Sequence, residues 1–131
     1  RTSGSLPQAY AVWDPARQHV VLFGGASGNG LLSDTWVWDG STWEQRIPTF
    51  SPAARSSFGL AWDGTRQRAV LFGGYDGNAA LFDTWEWDGT TWLQRRPAAS
   101  PDWNGSLALT WDAARQRMVL FTGSSTWLFL P

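Results

Sequence analysis

Short apolar runs separated by turn-forming residues recur along the chain, and they recur in phase. Positions 19–23 (HVVLF), 69–72 (AVLF) and 118–121 (MVLF) are almost continuously apolar, the length and character of strands covered on both faces. Positions 35–38 (TWVW) and 84–87 (TWEW) alternate with period two, which places two tryptophans on one face and Val37 or Glu86 on the other. Runs at 9–13, 57–62 and 106–111 carry the small residues Ala11, Gly59, Ala61 and Ala108, suited to a crowded position. Runs at 42–46 and 91–95 are more polar, as outer edge strands are. No stretch has the 3.6-residue spacing of a helix, so the pattern predicts an all-β chain with four short strands per repeat.

The repeat length is 49 residues. It separates Trp13-Asp14, Trp62-Asp63 and Trp111-Asp112, and again Phe23-Gly24-Gly25, Phe72-Gly73-Gly74 and Phe121-Thr122-Gly123. Residues 34–46 (DTWVWDGSTWEQR) return almost letter for letter at 83–95 (DTWEWDGTTWLQR). A period near 50 residues is the signature of a propeller.

Turn chemistry supports the strand boundaries. Asp14, Asp63 and Asp112 each open a four-residue connection ending in Arg17, Arg66 or Arg115, with Pro15 or Gly64 easing the geometry, and Asp39-Gly40 and Asp88-Gly89 are hairpin signals between third and fourth strands. These recurring aspartates read as turn caps. The glycine pairs Gly24-Gly25 and Gly73-Gly74 close an apolar strand without a Gly-x-Gly-x-x-Gly pattern or a following helix, so they read as backbone bends and not as a phosphate cradle.

An aromatic-Gly-Gly at the end of the second strand, an aromatic in the third and Trp43 or Trp92 in the fourth resemble kelch repeats, and the resemblance covers all 131 residues. The sequence departs from that pattern in three places. Trp38 and Trp87 stand where the family commonly has Tyr, the third glycine pair is Thr122-Gly123, and an Arg near the repeat start occurs at Arg55, with Leu6 and Asn104 elsewhere. The resemblance implies kelch-type β-propeller blades of four antiparallel strands, within one segment spanning 1–131. Blade 1 covers about 1–46, blade 2 about 47–95 and an incomplete blade 3 about 96–131. It also implies binding of proteins or glycans more often than catalysis.

Propellers close with four to eight blades, and three make a half propeller. Thr126-Trp127-Leu128 aligns with either the third or the fourth strand and cannot supply both, so one strand is expected from residues 1–6 or from another chain. Two copies closing a six-bladed ring is the favoured expectation, with docking on other protein chains the alternative. The chain does not begin with Met, so excision from something longer is expected.

Binding concentrates on long, variable loops. The loops at 26–33 and 75–82 and the inter-repeat connections at 47–55 and 96–104 differ between repeats. Tyr75 aligns with Ala26, Phe50 with Ala99, Arg55 with Leu6 and Asn104, and Trp103 with Ala54 and Ser5. The expected partner-binding residues are Tyr75, Asp76, Asn78, Phe82, Arg55 and Trp103, while Gly24, Gly25, Gly73, Gly74, Trp43 and Trp92 are expected to be structural. Protein–protein interaction is the first reading and a lectin-like glycan site the second, since exposed aromatic faces stack on sugar rings.

Composition narrows this further. A content of 43% apolar residues supports a real core. Ten basic and eleven acidic side chains give a net charge of −1, which argues against nucleic acid, and no apolar run reaches the ~20 residues of a membrane helix. With no Cys, disulfides, thiolate nucleophiles and Cys-ligated metals are absent. The copper chemistry of kelch oxidases needs His and Tyr ligands and a Cys-linked tyrosine, and this chain has only His19, Tyr10 and Tyr75. His19 is expected at an exposed strand position. Pairs such as Asp34 with Asp39, or Asp83 with Asp88, read as structural, so no catalytic residue, metal or cofactor is expected. The composition suggests a bacterial source, with a lean to an extracytoplasmic setting.

Overall fold

The computed structural model describes residues 10–97 and 99–129. Every regular element among them is a β-strand, paired antiparallel. The first sheet comprises β1 (Tyr10–Asp14), β2 (His19–Phe23), β5 (Thr35–Trp38) and β6 (Trp43–Arg46) in that order, and a separate small hairpin is formed by β3 (Ala26–Ser27) and β4 (Gly30–Leu31). The second sheet runs β7 (Gly59–Asp63), β8 (Arg68–Tyr75), β9 (Ala80–Trp87), β10 (Trp92–Arg95). The third contains β11 (Ala108–Asp112), β12 (Arg117–Phe121) and β13 (Thr126–Phe129). The second and third are meanders in which sequence neighbours pair, the first pairs β2 with β5 across the small hairpin, and no helix long and apolar enough to cross a membrane occurs among the described residues.

Turn residues account for the hairpins. Asp14 Oδ1 accepts the Arg17 N–H at 3.0 Å, Asp63 Oδ1 accepts those of Thr65 and Arg66, and Asp112 Oδ1 accepts that of Arg115 at 3.1 Å. The residue closing each turn, Gln18, Gln67 or Gln116, adopts positive φ (56°, 57° and 52°). That glutamine recurs every 49 residues and is the signal that the Asp-centred reading overlooked. Asp39 and Asp88 cap the other hairpins through the N–H groups of Ser41 and Thr42 and of Thr90 and Thr91.

The sheets stack face to face. Register puts Leu60, Trp62, Ala69, Leu71, Trp85, Trp87 and Trp92 on one face of the second sheet, where they pack against Tyr10, Val12, Val21 and Phe23 of the first. The opposite face, with Ala61 and Val70, packs against Leu109, Trp111 and Met118 of the third. The second sheet is therefore covered on both sides, which is why Ala69, Leu71, Phe72 and Trp92 are wholly buried. Gly59 lets β7 approach β11, since a Cβ there would stand 2.8 Å from Leu109 Cβ.

Two expectations need correction, and one alternative left open by the sequence is decided. The ladder between β8 and β9 continues past Phe72 through a bulge to Gly74↔Leu81 and Tyr75↔Ala80, so Tyr75 and Phe82 sit on strands and the loop shrinks to residues 76–79. The bulge sets two residues of β9, Phe82 and Asp83, opposite Gly73 alone, and Gly73 and Gly74, both at positive φ (69° and 105°), bend β8 to meet it. Thr126-Trp127-Leu128 pairs with β12 as a third strand, and a fourth strand is absent from that sheet among the described residues. Trp43, aligned with the buried Trp92, is 45% exposed because no sheet among the described residues packs on its side of the first sheet. Leu6, Ser5 and the segment 1–6 lie outside the described residues, as do Ala9, Leu130 and Pro131.

Candidate functional site

The inter-repeat connection at 47–57 builds the edge on which the variable residues gather. Its backbone crosses the glycine pair of the first sheet, with Gly25 N–H donating to Arg55 O at 2.9 Å, and then bridges to Tyr75 through both Ser56–Tyr75 hydrogen bonds. A Cβ on Gly24 would lie 3.1 Å from Arg55 O, and one on Gly74 2.8 Å from Ser56 O. Both glycines are there for this backbone crossing.

Arg55, expected to face a partner, instead points inward and is 1% exposed. Its Nη1 and Nη2 donate to the two Asp83 oxygens at 2.6 and 2.8 Å, Nη1 also donates to Gly73 O, and Nε to Ala53 O. Burial pushes the Asp83 carboxyl up, but the Arg55 guanidinium and the Trp85 indole N–H outweigh it and hold its pKa below the ordinary value. Arg55 thus clamps the connection onto β9, which removes it from the candidate contact surface.

Tyr75 and Trp103 do come together. With Ser57, Ala80, Asn104 and Gly105 they line a cleft of about 330 Å³. Trp103 Nε1 donates to Leu81 O at 2.7 Å, and its ring stands 6.3 Å from Phe82 at 52°. Tyr75 (43% exposed) and Trp103 share the cleft, and Phe82 (42% exposed) joins them through its ring contact with Trp103, giving an aromatic strip. Asp76 caps the adjoining turn by accepting the N–H groups of Asn78 and Ala79 at 2.8 Å each, and these bonds lower its pKa. Asn78 is exposed beside it. Asn104, a lining residue, was not among the expected contacts; it adjoins Trp103 in sequence, the one signal that could have found it.

A larger cleft, about 450 Å³, lies along the second sheet's other face among Asp63, Arg66, Thr84, Glu86, Arg95 and Met118. Glu86 occupies the position of Val37, is buried, and forms a two-pronged ion pair with Arg66 whose second contact is 2.7 Å. This pairing raises the Arg66 pKa. The cleft has a structural origin. Trp92 of the fourth strand of the second sheet donates its indole N–H to Thr35 Oγ1 at 3.0 Å, whereas Thr84, the equivalent of Thr35, is buried with its Oγ1 unpartnered. A fourth strand on the third sheet would bring a side chain to that place.

The carboxylate pairs do not assemble. Asp34 and Asp39 flank β5, so they stand at opposite ends of a strand spanning roughly 13 Å, and Asp34 and Asp83 each hold the indole N–H of the Trp two residues on, at 2.6 and 2.7 Å. His19 is half-buried, paired with Asp14 across the β1–β2 ladder, and not exposed as expected. No group of three or more metal-ligating side chains occurs among the described residues. No protein-family model matches the chain, and no curated protein matches it.

Proposed function

We propose that the chain is a kelch-type β-propeller segment, three blades of a larger ring, acting as a non-catalytic binding module. Its contact surface is the aromatic strip of Tyr75, Phe82 and Trp103, taking an extended segment of a protein partner. The supporting observation is that Tyr75 and Trp103, two of the residues that break the repeat, line one cleft although 28 positions separate them. Side chains kept for blade packing would follow the period; these do not. A near-neutral net charge and the aromatic lining favour a partner engaged through apolar and hydrogen-bonding contacts over a polyanion.

Asn104 and Ser57 beside Tyr75 also suit hydroxyl recognition next to an aromatic face, which supports a glycan as the second reading. Panning a random peptide library against the immobilised protein, with counter-selection on the Tyr75→Ser variant, separates the two. Peptides retained by the wild type and lost on the variant, with unchanged thermal unfolding, support protein recognition. A neutral oligosaccharide array showing the same dependence, without peptide capture, would move the assignment to glycans. Binding of neither, or binding indifferent to Tyr75, overturns this reading of the cleft.

A further inference from the structure

Each stacked pair of sheets uses two different faces. One carries the paired third-strand tryptophans and the fourth-strand Trp; the other carries the phenylalanine that ends the second strand and the Thr that opens the third. The first sheet offers its phenylalanine face to the tryptophan face of the second, and the second offers its phenylalanine-type face to the third. Two faces remain. They are the tryptophan face of the first sheet (Trp13, Trp36, Trp38, Trp43) and the phenylalanine face of the third (Val119, Phe121, Thr126, Leu128). They are opposite halves of the contact that the chain already makes internally.

The details match residue by residue. Phe23 packs edge-on against Trp92 at 5.3 Å with both wholly buried, while their counterparts Phe121 and Trp43 are 48% and 45% exposed. Trp92 Nε1 donates to Thr35 Oγ1; the counterparts are Trp43 and Thr126, which faces Phe121 across the ladder as Thr35 faces Phe23. Arg17 reaches from the first sheet to donate to Asp88 O at 2.6 Å, its guanidinium lying over Gly89. Arg115 occupies the matching turn of the third sheet with its side chain 68% exposed, and none of the described residues lies over Gly40.

We propose that a second copy of this chain covers these faces head to tail, the Phe121–Thr126 face of each copy seated on the Trp43 face of the other. Trp43 Nε1 would donate to Thr126 Oγ1 across the boundary, and Arg115 to Asp39 O. The occupant is a second copy because the faces need the geometry of an internal sheet pair and both halves are present on one chain. The interface does not depend on the loop-edge cleft. The count of two does rest on the propeller reading, since two copies give six blades and three would exceed the usual four to eight.

Light scattering behind size exclusion tests this on the wild type and on Trp43→Arg and Phe121→Arg, with circular dichroism as the folding control. The wild type is expected at twice the 14.5 kDa protomer mass, and each variant at the single mass. Mixing the two variants is expected to restore the doubled mass through the one intact contact, because Phe121 of one and Trp43 of the other are untouched. Arg115→Glu, on an exposed turn, is the milder second variant and is expected to weaken the dimer at least tenfold. A wild-type monomer at every concentration overturns the proposal, as does a Phe121→Arg protein that still dimerises or a mixture that stays monomeric.

Discussion

Arg55 and Asp83 meet in a two-pronged ion pair across 28 residues of sequence, Nη1 to Oδ1 at 2.6 Å and Nη2 to Oδ2 at 2.8 Å. The pair joins the connection between the first two sheets to the strand that carries the second sheet's tryptophans. Asp83 also orients Trp85, and Arg55 also satisfies the carbonyls of Gly73 and Ala53, so one guanidinium sets the connection, the glycine bend and an indole together.

Removing the cation leaves the half-buried Asp83 carboxylate uncompensated, with the Trp85 indole N–H still on it, and takes the Arg55 donors from two carbonyls. Arg55→Met is expected to cost about 3 kcal/mol, read as the loss of denaturation free energy in urea. Arg55→Lys is expected to recover less than half, because an ammonium cannot make the parallel pair. Wild-type stability in Arg55→Met would show that the clamp contributes nothing.

The same pair sets an acid response. Because the folded pKa of Asp83 is depressed, its stabilisation is fully present above the unfolded value of about 3.9 and is lost as pH falls through the lower folded value. The melting temperature of the wild type is therefore expected to drop below pH 4. The gap between wild type and Asp83→Asn is expected to narrow as the pH falls, and an unchanged gap at pH 7 and pH 3 would exclude Asp83 as a source of that loss.

Position 55 stands out in the sequence because Leu6 and Asn104 occupy its counterparts, yet its inward direction could not be read there. Asp83 recurs as Asp34, and a recurring aspartate before Trp reads only as an indole acceptor. Hairpin caps and the pairing order of the longer strands were legible because turn chemistry and period-two alternation are local, whereas the small β3–β4 hairpin falls in the span 26–33 that reads as a loop. The extension of β8 and β9 was not, because the Gly73-Gly74 bend lets pairing resume after a bulge. Burial of Trp92 and exposure of Trp43 were not legible either, since the two tryptophans have nearly identical neighbours in sequence and differ only in what the adjoining sheet supplies.

Thr35 and Thr84 occupy equivalent places and should respond oppositely to loss of the hydroxyl. Thr35→Val removes the acceptor of the buried Trp92 indole and is expected to cost about 1–2 kcal/mol. Thr84→Val removes a buried hydroxyl that has no partner and is expected to be neutral or to stabilise by about 1 kcal/mol. Parallel urea titrations would decide. An equal cost at both positions would mean that the Trp92 hydrogen bond is worth nothing beyond packing.

Gly40 and Gly74 adopt almost the same backbone conformation, φ 101° and 105°, in different surroundings. None of the described residues lies within 4 Å of a Cβ at Gly40, whereas at Gly74 it would meet Ser56 O at 2.8 Å and Phe58 Cβ at 2.9 Å. Gly40→Ala therefore carries the conformational penalty alone, about 1 kcal/mol. Gly74→Ala adds a collision with backbone that is itself held by the Ser56–Tyr75 bridge and by Gly25 N–H on Arg55 O. Relief requires breaking that bridge, so a cost of about 3 kcal/mol is expected, together with faster amide exchange at Ser56 and Tyr75. If the two alanine variants unfold at the same denaturant concentration, the crossing of the connection over the second glycine pair is loose, and Tyr75 is not held at its edge of the cleft.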